Sequence, residues 1–100
     1  MSWKLQFYSG VEESILSMPP KIQARMIRLL ELMERPHTEP MGDGLFEIRT
    51  KAQEGIGRGL FCYLKGNEII VLHAFVKKSQ KTPKKELSIA KQRQKEVQSK

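Results

Sequence analysis

The chain has 100 residues, 39% hydrophobic and 29% charged, with a formal net charge of +7. That supplies apolar material for one core, so residues 1–100 are expected to form a single domain. No apolar run approaches the roughly 18–20 residues that span a bilayer, and the first residues lack the long apolar stretch of a signal peptide. The lone cysteine, Cys62, excludes an internal disulfide framework and a cysteine-based zinc site. A reduced cytoplasmic protein with no membrane partner is expected.

Trp3 to Tyr8 alternates apolar and polar residues, which predicts a first strand with Trp3, Leu5 and Phe7 on one face. Ser9 and Gly10 break it and offer a cap for a short helix, whose Glu12 and Glu13 suit the positive end of the helix dipole. Val11, Ile15 and Met18 share its apolar face. Pro19 and Pro20 end this helix and open the next, because proline fits the first helical turn. The second helix is expected over 20–34, with an apolar stripe at Ile22, Met26, Leu29, Leu30 and Met33. A helical hairpin covering a sheet follows from this pair.

The segment from Arg35 to Gly44 contains Pro36, Pro40, Gly42 and Gly44 and reads as a loop. Three strand-like runs follow, over 45–50, 56–64 and 68–76. The last is almost wholly apolar, as a central strand covered on both faces should be. Lys51–Gly55 and Lys65–Asn67 join them, the latter as a hairpin turn. Thr82 and Pro83 predict the N-cap and first position of a final helix with a thin apolar face of Leu87, Ala90, Val97 and, in part, Ile89. The order strand, helix, helix, strand, strand, strand, helix predicts an α+β domain: an antiparallel, partly mixed sheet with a helical hairpin packed on it and a C-terminal helix.

The charge is uneven. Residues 1–50 carry six Lys/Arg against seven Asp/Glu, while residues 77–100 carry nine against two. A field concentrated at one end attracts a polyanion. Motifs for nucleotide loops, metalloproteases and serine hydrolases are absent. Gly55-Ile56-Gly57-Arg58-Gly59 lacks dinucleotide-binding spacing and reads as a flexible turn into a strand. His37 and His73 are too far apart, and too far from Cys62, to predict a metal site. Strand alternation places His73 with Ile69, Val71 and Phe75, either as a hydrogen-bonded core histidine or as a general acid or base at a strand end. Cys62 reads as a small buried hydrophobe.

The basic residues are more informative. In an antiparallel meander the end of one strand adjoins the start of the next, so Arg49 and Arg58 can be neighbours. Lys77 and Lys78 close a strand parallel to the one bearing Arg49 and reach the same rim. Converging cations bind phosphates and stabilise charge that develops during phosphoryl transfer. Lys84 and Lys85 stand in the first turn of the last helix, where positive charge opposes the dipole at about 0.3–1 kcal/mol each. With that helix's free amides they would make an anion site.

The runs Leu-Phe-Glu-Ile-Arg-Thr (45–50), Gly-Ile-Gly-Arg-Gly-Leu-Phe-Cys (55–62), Ile69 to Pro83 and Glu86 to Arg93 resemble the phage-derived Gp49-like branch of HigB toxins, within the RelE/ParE superfamily. The resemblance spans about residues 3–97 and is most specific from Leu72 to Pro83. It implies the RelE-type fold and a type II toxin held by a HigA-like helix-turn-helix antitoxin. It implies metal-independent, ribosome-dependent cleavage of mRNA through attack of a 2′-hydroxyl on the adjacent phosphate, with no cofactor. By position it implies Arg58 as the phosphate-binding residue, with Arg49, Lys77 and Lys78 completing a catalytic cluster. Lys81, Lys84, Lys85, Lys91, Arg93 and Lys95 then form a surface for RNA or ribosome. For proton transfer His73, Glu47 and the lysines all stand as candidates. The pattern departs from the family at Phe61, where a tyrosine is common, and in having no tyrosine after Tyr63. The alternatives are a ParE-like gyrase inhibitor and a non-catalytic nucleic-acid-binding protein.

Overall fold

A computed structural model describes residues 4–31, 38–64 and 67–99. Trp3, Met33, His37 and the Lys65–Gly66 part of the expected turn lie outside them. The elements are β1 (Lys4–Phe7), α1 (Val11–Leu16), α2 (Pro20–Glu31), β2 (Thr38–Gly42), β3 (Leu45–Ala52), β4 (Gly55–Tyr63), β5 (Glu68–Lys77) and α3 (Lys84–Gln98). The five strands form one sheet in the order β1-β5-β4-β3-β2. β2 to β5 is an antiparallel meander, and β1 adds to β5 in parallel, so the sheet is mixed as expected.

Two findings depart from the sequence reading of the strands. β2 occupies part of the segment read as a loop. Proline cannot donate to a ladder, but β2 is an edge strand, where Pro40 is tolerated. Its hairpin to β3 turns on Asp43 and Gly44, at φ 55° and 79°, the left-handed pair that a tight two-residue hairpin needs. The centre of the sheet is β4, with β5 beside it. Gly55 to Gly59 is therefore no flexible turn but buried strand, and the join from β3 shrinks to Gln53 and Glu54.

Helices cover both faces. Val11, Ile15 and Met18 with Ile22, Met26 and Leu30 pack α1 and α2 on Ile48, Phe61, Ile69, Val71 and Ala74. The aromatic rings of Phe46, Phe61 and Tyr63 cluster on the same side, with centroids 5.3–5.8 Å apart. On the other face Ala90, with Leu87 and Val97 beside it, packs α3 on Leu45, Leu60, Cys62, Ile70 and Leu72. Cys62 is buried there as expected, and burial pushes its thiol pKa up.

β5 carries an extra residue. Leu60 pairs with His73 but Phe61 pairs with Val71, so Leu72 is a bulge. The bulge turns His73 away from Ile69 and Val71 and onto the α3 face with Leu72, which corrects the alternation argument. α3 also starts one residue late. Pro83 is its N-cap, because the Thr82 hydroxyl is drawn to Glu47 instead of the helix amides.

Gly57 lets α2 approach the sheet. A Cβ at this position would stand 2.3 Å from Ile22 Cγ2 and 3.1 Å from Thr50 Cγ2. Gly57→Ala should therefore destabilise the domain by about 1–3 kcal/mol through overpacking. Ile22→Ala should cost less in that background than in the wild type. A double-mutant cycle by urea unfolding checks both.

Candidate functional site

The site grows from one cross-strand pair. Arg49 of β3 and Arg58 of β4 stand directly opposite each other, on the face covered by α3. Arg58 is wholly buried on the middle strand. Burial pushes its pKa down, the neighbouring Arg49 adds to that, and Glu47 opposes it. Its guanidinium lies 5.9 Å from the Phe75 ring centroid, a cation–π contact from the β5 side.

Residues 79–82, between β5 and α3, cross over the pair. Arg58 Nη1 donates to the Lys81 carbonyl at 3.1 Å, and Nη2 donates to the Ser79 carbonyl. Arg49 Nη1 donates to the intervening Gln80 carbonyl at 2.7 Å. Three successive carbonyl oxygens thus end on two guanidinium groups. Arg58 Nε is buried and has no hydrogen-bond partner among the described residues.

Glu47 is the anionic partner. It is fully buried, two residues before Arg49 on the same face of β3. One carboxylate oxygen accepts from Arg49 Nε, and the other accepts from the Thr82 hydroxyl at 2.6 Å. Arg49 Nη2 donates back to that hydroxyl at 3.3 Å. Both carboxylate oxygens are engaged inside the protein, so Glu47 does not face a substrate as a base. Two guanidinium charges therefore meet one carboxylate.

A second cluster occupies the same rim. His73 Nε2 lies 2.7 Å from Glu86 Oε1 of α3, and Lys77 Nζ lies 3.8 Å from Glu86 Oε2. Arg93 donates to the Leu72 carbonyl at 2.8 Å and lies 3.5 Å from His73 Nδ1. The Phe75 ring stacks on His73 at 5.3 Å. Both ring nitrogens of His73 thus face protein groups. Lys77, half exposed, ends β5, the exposed Lys78 precedes the 79–82 segment, and the exposed Lys81 lies within it.

The surface residues divide. Lys84, Lys91 and Lys95, with Leu87, Ser88 and Gln92, line an open groove of about 620 Å³ along α3. Lys85 is exposed on the same helix. Arg93 does not join them. It turns inward, with its guanidinium 4.6 Å from the Tyr8 ring centroid, beside a hydrogen bond from Tyr8 to Glu96 that pushes the tyrosine pKa up. Tyr63 lies on the opposite face of the sheet from the arginine pair.

Sequence reasoning brought Arg49, Arg58 and the basic pair Lys77 and Lys78 at the end of β5 to one rim but missed Thr82 as a partner of Glu47, and Glu86 as the group joining His73 to Lys77. Position gave a signal for Glu47, an acidic residue at the spacing that shares a strand face with Arg49. Thr82 had none, because its cap motif pointed to the helix. Among the described residues no cluster of His, Cys, Asp or Glu is arranged to hold a metal ion, and no described helix is long and apolar enough to cross a membrane.

The model of the family described as phage derived protein Gp49-like matches residues 13–95. No curated protein matches the sequence. Among solved structures, the chain is similar to a mutant of the Escherichia coli toxin RelE in the free state, at 12% identity and a TM-score of 0.66, covering 93% of this chain and 98% of that one. It is also similar to a chain of the RelBE2 toxin–antitoxin complex of Mycobacterium tuberculosis, at 15% identity and a TM-score of 0.60, covering 77% of this chain and 100% of that one. The fold is RelE-like.

The buried Thr82–Glu47 bond gives a stability test. Thr82→Val keeps the side-chain shape but leaves a buried carboxylate oxygen without that donor, at a cost of about 1–3 kcal/mol. Ser79→Ala, at an exposed position, should stay within about 0.5 kcal/mol of wild type. Urea unfolding of the two variants measures the contrast.

Proposed function

This chain belongs to the phage-derived Gp49-like family, and on that footing we propose that it is the toxin of a type II toxin–antitoxin pair that cuts mRNA on translating ribosomes in the cytoplasm. One observation carries the reading. Arg49 and Arg58 form a cross-strand pair with the Glu47 carboxylate bonded to Arg49, and the exposed Lys77, Lys78 and Lys81 stand at the end of β5 and in the segment whose carbonyls the pair holds. A positively charged pair with its fork-shaped donors directed at oxygen atoms suits a phosphate, for which bidentate arginine is well matched.

In the proposed reaction the 2′-oxygen of one nucleotide attacks the adjacent phosphorus. The 2′-O–P bond forms and the P–5′-O bond breaks. The 2′-hydroxyl gives up its proton, the 5′-oxygen leaves with one, and a 2′,3′-cyclic phosphate results. Arg58 and Arg49 balance the negative charge that gathers on the non-bridging oxygens, the electrostatic stabilisation that often dominates such catalysis. Lys77 and Lys78 hold the strand on either side. His73 acts here through position: it shares Glu86 with Lys77 and so fixes where that ammonium stands.

The lysines along α3, Lys84, Lys85, Lys91 and Lys95, supply the surface that docks on ribosomal RNA. The RelE-like fold and the likeness to a chain of a toxin–antitoxin complex support an antitoxin partner for this protein. A HigA-like helix-turn-helix protein, encoded beside it, is the partner proposed.

Induced expression should arrest growth and leave mRNAs cut at codon boundaries. Arg49→Ala and Arg58→Lys should each reduce mRNA cleavage on translating ribosomes more than tenfold at equal protein level, with thermal unfolding as the control for folding. Equal toxicity from both variants would remove the arginine pair from the mechanism. Growth arrest with intact mRNA and damaged DNA would select the gyrase-inhibitor reading. Affinity for single-stranded RNA should fall steeply with salt, and replacing Lys84 and Lys91 by Ala should flatten the log–log slope by about 1.4.

A further inference from the structure

The arginine pair is a site already filled from within. Ser79, Gln80 and Lys81 place three carbonyl oxygens on the donors of Arg49 and Arg58. These acceptors are neutral. They bring no negative charge to a cluster in which two guanidinium groups face the single carboxylate of Glu47. Burying a charge without its counterpart is costly. The buried Arg58 Nε has no acceptor among the described residues. Phosphate oxygens would meet both deficits, because they bring the negative charge that neutral carbonyls lack and can take two parallel hydrogen bonds from a guanidinium fork.

We propose that residues 79–82 are a displaceable strap that occupies the phosphate position with its own carbonyls, and that Glu47, acting through Thr82, is the positioning residue that latches it. The proposal rests on the reading of Arg49 and Arg58 as the groups that receive phosphate.

The placement of charge fits this role. Lys78 precedes the strap, Lys81 lies within it, and Lys84 follows it, all three exposed. A polyanion drawn to this rim arrives at the strap, above the two arginines. The latch is a single hydroxyl-to-carboxylate bond at 2.6 Å, made at the end of the strap nearest α3. Ser79 and Gln80 are exposed, and the strap's bond within itself is the Ser79 hydroxyl to the Lys81 carbonyl at 3.2 Å. The segment is therefore held mainly by the arginines it covers and by Thr82. When phosphate oxygens take the place of the Ser79 and Lys81 carbonyls, Arg58 keeps its hydrogen bonds and gains a counter-charge. The freed carbonyls pass to water.

A purely structural strap and a displaceable one predict opposite results when the strap is loosened. Thr82→Val removes the latch. Gln80→Gly leaves the latch intact and makes the released strap more flexible, which favours the open state. The probe is a single-stranded oligonucleotide with 2′-deoxy sugars, which cannot undergo 2′-hydroxyl attack, and its binding to the full chain is followed by fluorescence anisotropy at fixed salt. Thr82→Val should bind it about three- to tenfold more tightly than wild type, the effect of one ordinary hydrogen bond, although it is less stable, and Gln80→Gly about two- to fivefold more tightly, the effect of the added backbone freedom. The gain should vanish when Arg58→Lys is added. Unchanged or weaker binding in the loosened variants overturns the strap. If Thr82→Val fails to fold, Gln80→Gly alone decides. Cleavage of ribosomal mRNA by the wild type is scored separately. Tighter binding without cleavage would leave the strap standing and remove the ribonuclease reading, whereas cleavage without tighter binding would do the reverse.

Discussion

A guanidinium buried in the middle strand of a sheet obliges everything around it to answer its charge. Arg58 cannot reach water, and the low-polarity interior makes each unmatched donor expensive. The surroundings respond element by element. β3 supplies Glu47 beside Arg49, β5 supplies the ring of Phe75, and the segment leading into α3 lends its carbonyls. The start of α3 is displaced by one residue because Thr82 serves this cluster and not the helix cap. The sheet face beneath α3 is thus apolar where Leu45, Leu60 and Ala90 meet, and ionic toward the ends where β3 leaves and β4 enters.

Much of this was legible in the residues. The stripe Ile22, Met26 and Leu30, the face of Val11 and Ile15, the meander over residues 45–77 and the pairing of Arg49 with Arg58 all follow from periodicity and short connections. What escaped did so for identifiable reasons. Prolines and glycines masked β2, although Asp43-Gly44 is a strong hairpin signal and an edge strand can hold Pro40. Alternation assumed an unbroken strand, and the bulge at Leu72 defeated it for His73. Gly57 reads as freedom in the sequence, yet it marks the close approach of α2 to the sheet. For the site, residue type and strand position were enough to gather the cations. They could not show that backbone carbonyls would occupy them, because any residue can contribute such an oxygen.

The solved structures share this architecture at 12% and 15% identity. At that distance the shared property is the way the layers are stacked. On those layers this chain seals an anionic Glu47 in the sheet beside its arginines and spreads lysines along the outer helix.

The bulge in β5 also divides that strand into two independently phased lengths. Before Leu72, β5 takes its register from both β1 and β4. After it, with side-chain phase shifted by one, the strand presents His73, Phe75 and Lys77 to α3. A single inserted residue thus acts as a coupling between two sections set to different angles. Both lengths pair with β4, but the one that joins β1 and the one that carries the polar rim face their side chains in opposite phase.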